Sequence, residues 1–369
     1  MASEQEGTTE ATDAFAPSAL TVAIFAGRSG APGDAGRNKN FFSLRGRPVV
    51  QRQLDLVKAM GFKRVILVTE LARLSELDLP PGTISLEGSR RQDENFAAVK
   101  EAGSFGPEDR CLVLFGDTPL VSSVMVLDFL ARCKARPADV HHGLVPYVFA
   151  EPFMEFFPRD HFGRRPFHVA EFRARLGCLS LARPHGFDPH AARARIAAVM
   201  SGRKQDARGG GLPAVLLARA RVLWGGVRFV GPVGAWMGLS AIVSHWSHER
   251  GFPGAARFLR QPVTLARLDD VATRLLGCPA RLLPCPFGGA SLDIDNDLDL
   301  SVHEQYFDHM QALESLQERL ASRLIEPAFD LGWEQLAALD REDPVLATEL
   351  RRHPVAYREQ RRILLAFPR

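Results

Sequence analysis

The chain alternates short apolar runs with segments whose apolar residues recur at helical spacing. Residues 20–26 (LTVAIFA), 64–69 and 111–115 are almost wholly apolar and bounded by polar or glycine-rich stretches, which predicts buried strands. Residues 48–60 and 93–101 carry their apolar positions on one helical face, which predicts helices. The order strand, helix, strand, helix, strand predicts an α/β fold with a mainly parallel sheet that helices flank.

After about residue 140 the pattern becomes less regular. Residues 151–167 are rich in aromatic residues and proline, and residues 168–181 alternate polar and apolar positions, which predicts an inserted, irregular α+β lobe. Residues 229–244 are uncharged, but they include three glycines and a proline and are shorter than the ~20 apolar residues of a membrane-spanning helix. A buried segment is favoured, and an interfacial or re-entrant segment is the alternative.

Four regions follow from this pattern. We predict a disordered acidic tail over residues 1–19, a regular α/β half over 20–140, an inserted lobe that returns to the sheet over 141–301, and a helical extension over 302–369. Breaks in the extension are expected at Glu326-Pro327 and His353-Pro354. The tail lacks a basic start and an apolar run, so it does not have the pattern of a signal peptide.

Composition narrows the class of protein. The chain has 369 residues, of which 46% are hydrophobic and 24% charged, which excludes a disordered or fibrous protein. Its five cysteines contain no C-x-x-C pair, which argues against a disulfide framework or a zinc site and favours a reducing cytoplasm. Residues 159–228 hold fourteen Lys or Arg against four acidic residues, which indicates either a solvated surface or a contact with an anion.

The glycine-rich stretch after the first strand is a candidate phosphate loop. Backbone N–H groups of Ala26, Gly27, Arg28, Ser29 and Gly30 could approach a phosphate there because glycine permits close contact. The stretch does not match G-x-G-x-x-G, which disfavours a dinucleotide cofactor, and no G-K-[ST] follows, which excludes a P-loop.

Three motifs in a fixed order carry a family resemblance. Residues 37–50 (RNKNFFSLRGRPVV), 114–120 (LFGDTPL) and 292–300 (LDIDNDLDL) resemble the lysine motif, the G-D-x-P strand end and the late acidic motif of the GT-A-like nucleotidyltransferases. That superfamily includes molybdenum-cofactor guanylyltransferases and the sugar-phosphate uridylyl- and cytidylyltransferases. The resemblance implies a Rossmann-like sheet and the transfer of a nucleoside monophosphate from a triphosphate to a phosphorylated acceptor, with release of pyrophosphate. It further implies that residues 20–140 are the nucleotide-binding half and that residues 141–301 are an acceptor-binding lobe that returns to the sheet and the metal motif.

The chemistry of two aspartates agrees with that implication. Asp117 follows a buried strand at its carboxyl end, where open α/β sheets bind ligands, and Asp295 lies in an alternating acidic run. Mg²⁺ is commonly held by one or two carboxylates together with substrate phosphates, so both residues are candidate ligands and catalytic residues. The alternative for the acidic run is a cap, by Asp295 or Asp297, of the helix that follows.

The resemblance also implies roles for other residues. Lys39 would contact the nucleotide phosphates as a catalytic residue, and Arg28 or Arg37 could share this task. Gln92 and Asn95, in a segment similar to one that holds the nucleotide in cytidylyltransferases, are candidate nucleotide-binding residues. Acceptor contacts are expected in the inserted lobe, at Glu171, Arg173 and Arg175, where an amphipathic strand with a charged face is the competing explanation.

Two other functions remain open on the sequence. One is a GT-A-type glycosyltransferase that uses a sugar nucleotide, which Lys39 disfavours. The other is a catalytically silent nucleotide-binding or scaffold protein, which the presence of Asp117 and Asp295 disfavours. The expected partners are a nucleoside triphosphate and a small phosphorylated acceptor rather than nucleic acid. Membrane association is not favoured, and the sequence leaves the base, the acceptor and the oligomeric state open.

Overall fold

The structure is a computed structural model that describes residues 13–27, 38–158, 166–200, 212–323, 339, 341–352 and 354–367. Its strands are β1 (Thr21–Ala26), β2 (Ser43–Leu44), β3 (Arg47–Pro48), β4 (Arg64–Thr69), β5 (Ile84–Glu87), β6 (Cys111–Phe115), β7 (Val140–Pro146), β8 (Phe167–His168), β9 (Arg173–Ala182) and β10 (Ala280–Pro284). Its helices are α1 (Val49–Ala59), α2 (Gln92–Ala102), α3 (Ser123–Ala135), α4 (Tyr147–Met154), α5 (Pro189–Met200), α6 (Leu212–Glu249), α7 (Pro253–Leu259), α8 (Leu265–Leu276), α9 (Asp297–Arg323), α10 (Pro344–Arg352) and α11 (Pro354–Ala366).

A mixed sheet of eight strands forms the centre of the molecule. Its strand order is β10-β7-β9-β6-β1-β4-β5, with β8 added beside β9. β1 runs parallel to both β4 and β6, and β7 runs parallel to β10, while β9 is antiparallel to β6 and β7. The predicted α/β fold with a mainly parallel sheet is therefore confirmed, and β9 is the strand that runs against the others.

The central strands are apolar because both faces of the sheet are covered. Every residue of β1 is buried, as is the apolar face of α1 that packs on the sheet through Val50, Leu54 and Val57. A parallel sheet covered on both faces requires this continuous apolar pattern. The same arrangement brings the carboxyl ends of β1, β4, β5 and β6 to one edge of the sheet, where ligands of open α/β sheets bind.

Residues 229–244 depart from the predicted burial. They lie within α6, and only one side of this part of the helix is covered: Val230, Met237 and Ser244 are buried, whereas Val233 and Trp236 are more than half exposed. The buried side of the helix packs along α7 and α8, and the opposite side remains exposed. In the part of the chain that the structure describes, no helix combines the length and apolar character that crossing a bilayer requires.

Both ends of the chain add detail to the predicted regions. Residues 13–19, assigned to the tail, fold back onto the domain: Asp13 pairs with Lys134 at 2.8 Å, and the guanidinium carbon of Arg110 lies 5.0 Å from the centre of the Phe15 ring. Residues 1–12 lie outside the described residues, as does the break at Glu326-Pro327. The second predicted break falls between α10 and α11. The first helix of the extension begins at Asp297, before the predicted boundary at residue 302.

Candidate active site

Lys39 is fixed against the end of β1 by two buried asparagines. The Asn38 side chain donates to Ala26 O (3.1 Å) and accepts from Asn40 N (3.1 Å), and the Asn40 side chain donates to Gly27 O (3.2 Å). These contacts start a single turn of 3₁₀ helix over Lys39–Phe41. Because the turn is bonded to β1 on both sides of Lys39, the lysine reaches the carboxyl edge of the sheet from a defined position.

Asp117 sits in a turn that the neighbouring helix and the late acidic segment hold in place. Gly116 N donates to Phe25 O of β1 (2.9 Å), and the Gln53 side chain of α1 donates to Thr118 O (2.5 Å). Asp117 O accepts from Ile294 N (2.9 Å). This last bond joins two motifs that are distant in sequence, so the backbone itself brings Asp117 beside the acidic run.

The acidic run is anchored by the apolar residues between its aspartates. Leu292 and Ile294 are fully buried, which leaves Asp293 and Asp295 on the other side of an extended segment. The cap of the following helix is Asn296, whose side-chain oxygen accepts from Asp299 N (2.9 Å), and not Asp295 or Asp297. Asp295 is therefore not used as the helix cap, and its carboxylate faces Lys39.

Four charged side chains meet at this edge. Lys39 Nζ lies 2.5 Å from Asp117 Oδ2 and forms a second ion pair with Asp295 Oδ1. Carboxylate oxygens of Asp117, Asp293 and Asp295 lie within 4.8 Å of one another. The Lys39 and Asp117 side chains are only 15% and 14% exposed, whereas Asp295 is 56% exposed and opens the cluster to solvent.

The cluster shifts the proton affinities of its members. Burial opposes the charged form of Lys39, but the carboxylates of Asp117 and Asp295 outweigh it and raise the pKa of Lys39 above its ordinary value. Burial likewise opposes the charged form of Asp295, but the lysine outweighs it and lowers the pKa of this carboxyl. All-oxygen donors at this spacing suit Mg²⁺. The residues thus fit a divalent cation, which the sequence predicted with Asp117 and Asp295 and the structure extends to Asp293.

Two glycines bring the loop after β1 against the segment before α2. A Cβ on Gly88 would lie 2.6 Å from Gly27 Cα, so this position has no room for a side chain, and a Cβ on Gly27 would make a tight contact of 3.0 Å with Ser89 O. Asn95 holds this segment by accepting from Ser89 N (2.7 Å) and donating to Ser89 O (3.0 Å). Asn95 therefore fixes the segment that packs against Gly27.

Of the remaining candidate nucleotide-binding residues, two are described by the structure and four are not. Gln92 is exposed at the first position of α2, and Ala26 is buried at the end of β1. Arg28, Ser29, Gly30 and Arg37 lie outside the described residues. Their assignment to the phosphates stays a prediction.

The three predicted acceptor residues occupy different surroundings. The Glu171 carboxylate accepts from Leu265 N at the start of α8 (3.1 Å), and Arg173 pairs with Glu151 of α4 (3.3 Å). Arg175 is buried and donates to Ser291 O (3.1 Å), two residues before Asp293. Arg175 thus contacts the segment that leads into the acidic cluster.

The sequence analysis did not identify Glu314 and Gln317, which hold the segment before the acidic cluster. Gly288 N donates to Gln317 of α9 (2.8 Å), Gly289 N donates to Glu314 of α9 (2.7 Å), and the Gln317 side chain donates to Phe149 O of α4 (2.6 Å). Two polar residues on the apolar side of a helix are the signal that could have found them, because buried polar groups require partners.

Glu314 gives a prediction about pH. Burial raises the pKa of Glu314 well above its ordinary value, against the bond from Gly289 N and with Glu318 nearby. The unfolded chain therefore loses this proton near pH 4.5 while the folded chain keeps it, so the free energy of unfolding falls as pH rises above that value. We expect Glu314→Gln, whose amide oxygen can still accept from Gly289, to remove this loss.

Urea unfolding at pH 5, 6 and 7 measures the effect. As pH rises, the free energy of unfolding of the variant should increase relative to that of the wild type by up to about 1.4 kcal/mol per pH unit. Glu304→Gln, at an exposed position of the same helix, is the matched control and should follow the wild type. Parallel stability curves for Glu314→Gln and the wild type would show that Glu314 is ionised in the folded chain.

Comparison with known proteins gives a family match for part of the chain. Residues 23–173 match the model of the MobA-like NTP transferase domain. Over 121 residues the chain is 28% identical to bifunctional protein GlmU of Francisella philomiragia, an alignment that covers 32% of this chain and 26% of that protein. The chain therefore spans about a quarter of the length of this relative.

A solved structure shows the same fold. It is a hypothetical transferase from Thermus thermophilus, with 23% sequence identity, a TM-score of 0.51, and coverage of 76% of this chain and 99% of that one. The part of the chain that carries the lysine motif and Asp117 is thus the part that resembles an NTP transferase domain. The match confirms the resemblance to nucleotidyltransferases that the motifs at 37–50 and 114–120 indicated, and the motif at 292–300 lies outside the matched residues.

Proposed function

We propose that this protein uses Mg²⁺ to transfer a nucleoside monophosphate from a nucleoside triphosphate to the phosphate of a small acceptor, with release of pyrophosphate. The observation that carries the proposal is the cluster of Lys39 with Asp117, Asp293 and Asp295 at the carboxyl edge of the sheet. Lys39 supplies positive charge for the phosphates of a metal-bound triphosphate, and the three carboxylates supply ligands for its metal ion.

The reaction needs little covalent chemistry from the protein. An ionised oxygen of the acceptor phosphate bonds to the α-phosphorus, and the bond from that phosphorus to the oxygen bridging to the β-phosphate breaks. Pyrophosphate leaves with that electron pair, so no proton must move in this step. The protein contributes alignment of the two phosphates and neutralisation of their charge.

Named residues supply these contributions. Gly27, directly after β1, would present its backbone to the triphosphate, and Lys39 would bind negative charge on its phosphates. Asp117, Asp293 and Asp295 would hold Mg²⁺, which when bound neutralises phosphate charge and polarises the α-phosphate. Arg175 is our candidate for the acceptor side because of its contact with Ser291 O. Glu171 and Arg173 stay predictions of the sequence.

Thermal unfolding with ATP, CTP, GTP and UTP, each with and without Mg²⁺, tests the donor. A ligand that binds only the folded chain stabilises it by about 2.7 kcal/mol at a hundred times its dissociation constant. We expect one triphosphate to raise the midpoint in a Mg²⁺-dependent manner, followed by pyrophosphate release when phosphorylated acceptors are screened with it. Stabilisation by sugar nucleotides with none by any triphosphate would overturn the proposal in favour of a glycosyltransferase.

A further inference from the structure

A second cavity lies away from the charged cluster, between the inserted lobe and the C-terminal helices. Its volume is about 520 Å³, within the range of small-molecule sites. α4, the start of β9 and the end of α7 form one wall, and α10 and α11 form the other. We call this cavity the Arg260 cleft, and the residues used below are Tyr147, Arg173, Arg260, Arg352, Val355 and Ile363.

The cleft is distinct from the proposed active site because α4 separates them. Tyr147 and Glu151 face the cleft from one side of α4. Phe153, on another side of the same helix, packs with Leu292 and Ile294 behind the acidic run. A ligand in the cleft would therefore contact a different set of side chains from a nucleotide at Lys39.

The charge of the cleft is positive. Arginines at 173, 260 and 352 line it together with Glu151 and Glu359. Both glutamates already have arginine partners: Glu151 pairs with Arg173 at 3.3 Å, and Glu359 pairs with Arg362 at 2.7 Å. The lining therefore holds three arginines against two glutamates, and neither of these two ion pairs involves Arg260.

Arg260 lies among other arginines of the cleft. Among the described residues its Nε is buried without a hydrogen-bond partner. Burial, and then the nearby Arg257, Arg173 and Arg362, lower its pKa, and Glu359 opposes them. A partly buried guanidinium among other arginines is unfavourable until an anion binds it. Arginine presents paired N–H donors that suit the oxygens of a phosphate or carboxylate.

Both walls of the cleft also carry apolar side chains. The rings of Tyr147 and Phe172 line the first wall, and Val355 and Ile363 line the second. The guanidinium carbon of Arg173 lies 4.6 Å from the centre of the Tyr147 ring, so one arginine is already stacked on an aromatic surface. Apolar side chains beside Arg260 suit a ligand with an anionic head and an apolar body.

We propose that the Arg260 cleft is a ligand site for a small organic oxyanion, a phosphate monoester or a carboxylate carried on an apolar group. Its oxyanion contacts Arg260, and its apolar part packs against Tyr147 and Val355. The site is independent of the transfer reaction, and a ligand there would tie α11 to the inserted lobe.

Isothermal titration with phenyl phosphate, benzoate and inorganic phosphate tests the site on the full-length wild type. We expect phenyl phosphate or benzoate to bind more tightly than inorganic phosphate, and the tighter of the two identifies the head group. Arg260→Ala should weaken that binding by about tenfold or more, as expected for a lost charge-assisted bond. Arg358→Ala, at an exposed position of α11 outside the cleft, is the matched control and should bind as the wild type does.

Two further variants keep the result decisive. Val355→Glu places a carboxylate at a position of the cleft that is 78% exposed, so it should fold normally and weaken binding as Arg260→Ala does. Lys39→Ala should leave this binding unchanged. Loss of binding in Lys39→Ala with retention in Arg260→Ala and Val355→Glu would place the anion in the nucleotide site and overturn the proposal, as would the absence of any binding to the wild type.

Discussion

Asp117→Asn is expected to lower the rate of pyrophosphate release by about 10²–10³-fold or more, the size of effect that a lost electrostatic contact in an active site produces. The substitution removes one of three carboxylates that lie within 4.8 Å of one another, while the amide keeps the shape of the side chain. The turn itself should persist because Ile294 N bonds to the backbone oxygen of Asp117 and not to its side chain. The expected loss is therefore chemical rather than structural.

Steady-state assays at several Mg²⁺ concentrations distinguish the two explanations. The variant should need more Mg²⁺ for half-maximal activity, and its circular dichroism should match that of the wild type. Asp308→Asn is the control, since that aspartate is 76% exposed and pairs with Arg45 at the surface. If Asp117→Asn kept more than half of the wild-type rate with an unchanged Mg²⁺ requirement, Asp117 would not be a ligand.

The sequence predicted those parts of the fold that local pattern determines. The strands over residues 64–69 and 111–115 match β4 and β6, because a continuous apolar run has few structures other than a buried strand. The direction of β9 was not predictable in this way. Its alternating pattern shows that it is a strand, but its place between β6 and β7, antiparallel to both, depends on contacts between distant segments.

The candidate site was likewise predictable only in part. Asp117 and Asp295 could be named because each follows an apolar run in a recognisable motif. Their approach depends on the bond between Ile294 N and Asp117 O, which no pattern reveals. The roles of Asn38 and Asn40 were equally unpredictable, because these side chains donate hydrogen bonds to the carbonyl groups of Ala26 and Gly27. Long-range hydrogen bonds of this kind must be observed in a structure.

Lys39→Met is expected to lower turnover and at the same time to increase the affinity of the nucleotide-free protein for Mg²⁺. Methionine keeps much of the length and apolar stem of lysine but removes the charge that contacts both Asp117 and Asp295. Without that ammonium group, three carboxylates share one small region with their repulsion uncompensated, which favours a divalent cation. Loss of its contact with the phosphates should lower kcat by about 10²–10³-fold.

The opposite signs of these two effects make the variant informative. Thermal unfolding with Mg²⁺ alone should give a larger stabilisation for Lys39→Met than for the wild type, and the assay should show the loss of turnover in the same preparation. Lys58→Met removes a half-exposed lysine that pairs with Asp78 at 3.3 Å, and it should change neither quantity. A loss of turnover without a gain in Mg²⁺ stabilisation would mean that Lys39 serves the phosphates but does not compete with the metal for the carboxylates. An unchanged turnover would remove Lys39 from the catalytic site.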